Sequence, residues 1–98
     1  MALKNFDEFL TQQLKDRDML NAFLAENMQQ YQADGDQSGF LHCLEIAAKA
    51  QGSIEQLAEK TGMTRQALYR IFSNKGNPTL SSLVQILNAL GYKLTVTR

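Results

Sequence analysis

Between Thr64 and Asn77 the chain places residues whose side chains bond to polar edges and phosphates, with no carboxylate among them. An arginine can give two parallel hydrogen bonds to guanine O6 and N7, and a glutamine matches adenine N6 and N7. Arg65, Gln66 and Arg70 therefore suit the reading of bases in a DNA major groove. Tyr69 suits a thymine methyl or a phosphate, or equally the edge of a core. Asn74, Lys75 and Asn77 lie just past this group, where amide and ammonium groups hold a phosphate backbone and fix register without choosing sequence. Ser73 either joins the same face or only helps to end a helix.

Such side chains need a helix whose opposite face is anchored. Leu68, Ile71 and Phe72 recur at i, i+3 and i+4. At about 100° per residue, Gln66, Tyr69, Arg70 and Ser73 then point the other way, with Arg65 at the leading end. Thr64 is placed to cap this helix, and Asn74-Lys75-Gly76-Asn77-Pro78 forbids its continuation past about Ser73. Immediately before it, Ser53 with Gln56 three residues on reads as a capping box. It opens a short helix that buries Ile54, Leu57 and Ala58 and closes at Gly62. A helix-turn-helix crosses two helices steeply through three or four residues, which demands a small residue inside the first helix and a glycine in the turn. Ala58 and Gly62 meet both demands. The same features taken singly describe any two packed helices. Their joint occurrence with two caps and an acid-free outer face favours the DNA-binding reading.

Nearer the N-terminus, Phe6, Phe9, Leu10 and Leu14, and then Leu20, Phe23, Leu24, Met28 and Tyr31, mark two amphipathic helices. Residues 33–39, rich in turn formers, break them from a third helix. That helix turns Phe40, Leu41, Leu44, Ala47 and Ala48 inward and is expected to end at Gly52 in the left-handed cap conformation. Thr79 starts a further helix with Leu80, Leu83, Val84, Leu87 and Leu90 on one face and Gly91 at its end. Residues 92–97 alternate apolar and polar and read as a short strand. A lone strand with Tyr92, Leu94 and Val96 on one side leaves peptide groups unpaired. It is expected to pair with, or pack against, the same segment of a second copy in a twofold dimer. An extended tail lying on its own helices is the alternative.

Ninety-eight residues allow one modest core and not two. Hydrophobic residues make up 44% and charged residues 20%, near globular averages, so neither a disordered nor a membrane protein is favoured. No apolar run approaches the roughly 20 residues that span a bilayer, and Asp7 and Glu8 stand where a signal peptide would continue apolar. A single cysteine, Cys43, fits a reducing compartment, so a cytoplasmic location is expected. The formal net charge is zero but unevenly spread: residues 1–45 hold three cations against eight carboxylates. From Lys60 onward, Arg65, Arg70, Lys75, Lys93 and Arg98 meet no carboxylate side chain. A basic half suits a polyanion, and an acidic half repels one.

Other chemistry finds little footing. His42 and Cys43 are single representatives of their types and sit side by side, about 100° apart on a helix. Zinc needs about four convergent ligands, and a nucleophilic cysteine needs a base that reaches its sulfur, so both residues read as packing or surface positions. Asp7, Glu8, Asp16, Asp18, Asp34 and Asp36 cluster near expected helix starts, where they oppose the helix dipole better than they form a catalytic pair. No glycine-rich phosphate loop or triad is visible, and the chain is not expected to be an enzyme.

The run Ile54-Glu55-Gln56-Leu57-Ala58-Glu59-Lys60-Thr61-Gly62-Met63-Thr64-Arg65-Gln66-Ala67-Leu68-Tyr69-Arg70 is followed by Gly76-Asn77-Pro78 and Leu87-Asn88-Ala89-Leu90-Gly91-Tyr92-Lys93-Leu94-Thr95-Val96. Together they resemble the addiction-module antidote proteins, a branch of the Cro/Xre-type regulators. The resemblance covers nearly the whole chain, and the acidic opening matches most loosely. It implies an operator-binding autorepressor that also neutralises a RelE/ParE-like toxin encoded beside it. Many relatives of the wider class place a phosphate-contacting glutamine first in the leading helix. Here that position is Ile54, and either Gln56 substitutes or the contact is absent.

The expected fold is all-α, with five or six helices. A Cro/lambda-repressor-like helix-turn-helix core over residues 35–98 ends in a short β-strand and follows an acidic helical extension over residues 1–34, the whole forming one folded unit. The expected partners are a palindromic double-stranded operator, a second copy and a cognate toxin, with no cofactor, metal or membrane. A stand-alone or prophage regulator without a toxin, and a mainly protein-binding antidote whose acidic first helices cover a basic toxin, are the alternatives.

Overall fold

Side-chain caps start every helix after the first. A computed structural model describes the backbone of residues 2–98 and the side chains of residues 6–98. Helix α1 spans Ala2–Gln13. Helix α2 spans Arg17–Asp34, and the Asp16 carboxylate accepts from the N–H groups of Asp18 and Met19 at 2.9 and 3.4 Å. Helix α3, Gln37–Ala50, is capped by Asp36, which accepts from Ser38 N–H at 3.0 Å. Helix α4, Ile54–Thr61, starts at Ser53, whose Oγ accepts from Gln56 N–H at 3.1 Å. Thr64 and Thr79 do the same for α5 (Arg65–Phe72) and α6 (Leu80–Ala89), each accepting at 3.0 Å from the N–H three residues on. Each such cap satisfies an otherwise orphaned donor and contributes about 1 kcal/mol.

Helix α3 is the axis of the core. Phe40, Leu41, Cys43, Leu44, Ile46, Ala47, Ala48 and Ala50 are all buried, so the helix is apolar over a broad face and keeps only a stripe of His42, Glu45 and Lys49 for the surface. Helices α1, α2, α4 and α5 pack against it, and α6 closes over α4. One continuous buried cluster runs from Leu14 to Leu90 and includes Leu20 and Leu24 of α2, so the N-terminal helices share the core of the rest. Phe23, Met28 and Tyr31 pack on its edge, Tyr31 stacking on Phe40 with ring centroids 6.5 Å apart.

Four expectations are corrected. Phe6 and Phe9 do not face the core: they are 57% and 58% exposed, because Leu10 and Leu14 set the rotation of α1 against α3. Gly52 does not adopt a left-handed cap. Helix α3 ends through Gln51, whose N–H bonds to Ala47 O, and the missing side chain at 52 makes room for that of Gln56. In α6, Leu80 is exposed, and the inner face is Leu83, Ile86, Leu87 and Leu90, with Ile86 fully buried. Finally, residues 92–98 form no strand.

The last correction has a visible cause at the end of α6. Gly91, at φ +91°, carries the chain out of the helix, its N–H bonding to Asn88 O at 3.0 Å while Tyr92 N–H bonds to Leu87 O at 2.8 Å. The first donor of the tail thus terminates a helix. Tyr92 then packs on the core, bonds through its hydroxyl to Asn21, and lies under the Arg17 guanidinium at 5.0 Å. Arg17 also donates to Leu90 O and Gln51 Oε1, both at 3.2 Å, and Gln51 Nε2 donates to Leu14 O at 2.8 Å. Among the described residues no strand offers this tail an edge to pair with, and Val96 is wholly exposed.

Candidate nucleic-acid interface

Helices α4 and α5 are joined by Gly62, Met63 and Thr64, and the turn is held by its own hydrogen bonds. Gly62, at φ +74°, gives its N–H to Ala58 O at 2.9 Å. Thr61 Oγ1 donates to Leu57 O at 2.8 Å and accepts from Met63 N–H at 3.3 Å. An L-side chain at position 62 would be strained by the backbone alone. Met63 packs back on the core, and Thr64 caps α5.

Helix α5 has a sealed side and an open one. Leu68, Ile71 and Phe72 are buried. Arg65, Gln66, Tyr69 and Arg70 are exposed on the other side, with Thr64 ahead of them and Ser73 behind. Tyr69 is 39% exposed, so its ring is part wall and part surface. Ser73 Oγ donates to Tyr69 O at 2.7 Å, so its hydroxyl helps to end the helix.

The loop that follows is more ordered than its composition suggested. Asn74 takes the left-handed position, at φ +59°, that commonly falls to glycine. Its N–H bonds to Ile71 O at 3.0 Å, and Lys75 N–H bonds to Arg70 O at 2.9 Å. The Asn74 side chain accepts from Gln37 Nε2 of α3 at 2.7 Å. Asn77 is also at positive φ, +47°, immediately before Pro78. A Cβ on Gly76 would stand 3.0 Å from an Arg70 guanidinium nitrogen, so this glycine lets Arg70 lie against the loop. Arg70, Lys75, Gly76 and Asn77 line one open cleft of about 240 Å³ between α5 and the start of α6.

Nine of the ten candidate DNA-contacting residues thus fall on α5 or its flanks, all exposed. The tenth, Gln56, is exposed too, but it lines a separate cleft of about 120 Å³ with Arg17, Gln51 and Lys60. One neighbour escaped the sequence reading. Glu55 of α4 reaches Arg65 with 3.4 Å between Oε1 and NH1, so the outer face that lacks carboxylates along α5 receives one from α4. No sequence spacing announces that pair, because it forms across the turn. The segment that carries Tyr92, Leu94 and Val96 is divided: Tyr92 is engaged in its own chain, while Leu94 borders an apolar groove with Leu24, Met28, Phe40 and Leu87.

His42 lies on the surface of α3, with Nε2 3.3 Å from Asp7 of α1 and Nδ1 3.6 Å from Glu45. Cys43 is buried, and burial pushes its thiol up to about 11, a poor setting for a nucleophile. The exposed Asp34 carboxyl is held below its usual range by the Gln30 side-chain amide and the Asp36 backbone N–H. Among the described residues no group of three or more His, Cys, Asp or Glu could hold a metal, and no helix is long and apolar enough to cross a membrane.

The family described as "Probable addiction module antidote protein" matches residues 2–98. The chain belongs to the addiction module antidote family. An antidote implies a toxin as partner, and the family is not one of enzymes. This antidote-family chain is also similar to an uncharacterized protein of Haemophilus influenzae (strain ATCC 51907 / DSM 11121 / KW20 / Rd). The two are 27% identical over 92 residues, covering 89% of this chain and 94% of the relative. No solved structure matches it.

Proposed function

We propose that this antidote also represses transcription, binding an operator in DNA through a Cro/Xre-type helix-turn-helix in which α4 supports and α5 recognises. The carrying observation is the division of α5 into a sealed apolar face and an open face of Arg65, Gln66, Tyr69 and Arg70. In this reading Arg65, Gln66 and Arg70 meet base edges, and Thr64 and Tyr69 flank them. Asn74, Lys75 and Asn77 steady the phosphate backbone from the loop, with Ser73 and Gln56 at the margins. The basic second half of the chain supplies long-range attraction to DNA.

The operator is palindromic and the binding form is a twofold dimer, its recognition helices about one turn of DNA apart. The exposed Leu94 and Val96 support a dimer contact through the tail. The toxin is a RelE/ParE-like protein, and all partners meet in the cytoplasm. The test is titration of the DNA upstream of the chain's own gene at two salt concentrations. Affinity should fall with a log-log slope of about 0.9 per phosphate contacted. Arg65→Ala or Gln66→Ala should cost roughly 1–3 kcal/mol and relax preference at one base, whereas Lys75→Ala should weaken all sequences alike. Unchanged affinity and preference in Arg65→Ala would overturn the assignment.

A further inference from the structure

Among the described residues of the first half of the chain, the largest apolar groups left in water are two phenylalanines a single turn apart. Phe6 and Phe9 of α1 are 57% and 58% exposed, while Leu10 of the same helix and Leu14 just past its end pack inward. The packing of Leu10 and Leu14 on the core sets this rotation of α1, and Asp7 lies 3.3 Å from His42 of α3. The rings therefore cannot turn inward without releasing that packing. Met19, at the start of α2, is exposed as well. Large aromatic groups held outward on a rigid element are the usual anchors of a protein interface.

Charge selects the occupant. Asp7 and Glu8 stand on α1 beside the two rings, and residues 1–45 together carry eight carboxylates against three cations, so this part of the chain disfavours DNA and anionic lipid surfaces. A second copy would bring the same acidic surface onto itself, since a twofold contact sets like against like. A basic protein is attracted over the same surface and can sheathe the two rings in an apolar pocket.

We propose that the α1 face bearing Phe6 and Phe9 is the docking surface for a basic protein, the toxin that this antidote neutralises. The inference rests on the antidote reading and assigns the partner to the end of the chain opposite in charge to the proposed DNA-binding face. The rings supply anchoring, and the carboxylates supply attraction that weakens with salt.

The test is co-expression of the full chain with the tagged product of the gene adjacent to its own, followed by co-purification, growth rescue and operator binding. Phe6→Ser/Phe9→Ser should weaken partner binding at least about tenfold and abolish rescue, with an unchanged melting temperature and unchanged operator binding. Leu80→Ser, which alters an exposed apolar group on α6, should keep full partner binding. Retained binding and rescue in the phenylalanine variant would overturn the docking face while leaving the antidote reading intact. Equal loss in both variants, or conversion of the wild-type dimer to a monomer by the phenylalanine changes alone, would also overturn it. A wild-type chain that neither binds nor protects against that product would overturn the antidote reading itself, and the face with it.

Discussion

Replacing Glu55 by glutamine should tighten DNA binding, because Glu55 occupies the arginine assigned to the leading base contact. The Glu55 and Arg65 groups lie 3.4 Å apart and are about 60% exposed. An exposed pair of this kind is worth about 0.2–1 kcal/mol, and in the proposed complex DNA displaces it as Arg65 turns to a base. The carboxylate also repels nearby phosphates. At a separation of about 10 Å in water that repulsion is about 0.4 kcal/mol per phosphate, reduced to roughly a third by physiological salt. Together these effects predict an affinity gain of about two- to fivefold, larger at low salt. The cost in stability is small, since Glu55 is an acidic residue in the first turn of α4 and opposes its dipole by about 0.3–1 kcal/mol.

Fluorescence anisotropy titration of the upstream duplex, at two salt concentrations, measures the gain. In an Arg65→Ala background the gain should shrink to the repulsion alone. An equal gain in both backgrounds, or none in either, would show that Glu55 does not compete for an arginine that reads DNA.

Other outcomes follow from the fold. Gly62→Ala, at φ +74° with nothing within 4 Å of the new methyl, should cost about 1–2 kcal/mol through backbone strain alone, measured by urea denaturation. Gly39→Ala, inside α3 and facing open space, should instead stabilise by about 0.5–1 kcal/mol in the same assay. Cys43 should resist a thiol reagent at pH 8 until the chain is unfolded. Burial raises its folded value from 9.0 to about 11, so its contribution to stability is complete below about 9 and lost as pH rises through about 11. Removing residues 93–98, which spares the Tyr92 anchor, should abolish the proposed dimer in sedimentation, and a dimer that persists would place the interface elsewhere.

What could be read from the sequence was local. Ser53, Thr64 and Thr79 act within three residues of themselves, and Gly62 and Gly91 are required by the backbone at their own positions. The caps and the two-sided character of α5 were therefore legible, as was the inward set of α3. The rotation of α1 was not, because the apolar stripe fits more than one angle and the choice belongs to α3. Leu80 and Ile86 traded places for the same reason: α6 is apolar on a broad face, and contact with α4 selects which part is buried. Gly52 was misread because its lack of a side chain serves Gln56 and not the backbone. The alternating tail has strand composition, yet a strand is a property of a pair. Glu55 and Gln37 reached the candidate interface from other helices, which no local pattern foretells.

The most direct test of the central claim is amide chemical-shift mapping on the isotopically labelled full chain as the upstream duplex is added. The changes should concentrate on residues 64–70 and 74–77, with residues 6–34 left largely unmoved. Changes confined to the first two helices, or none along α5, would contradict it.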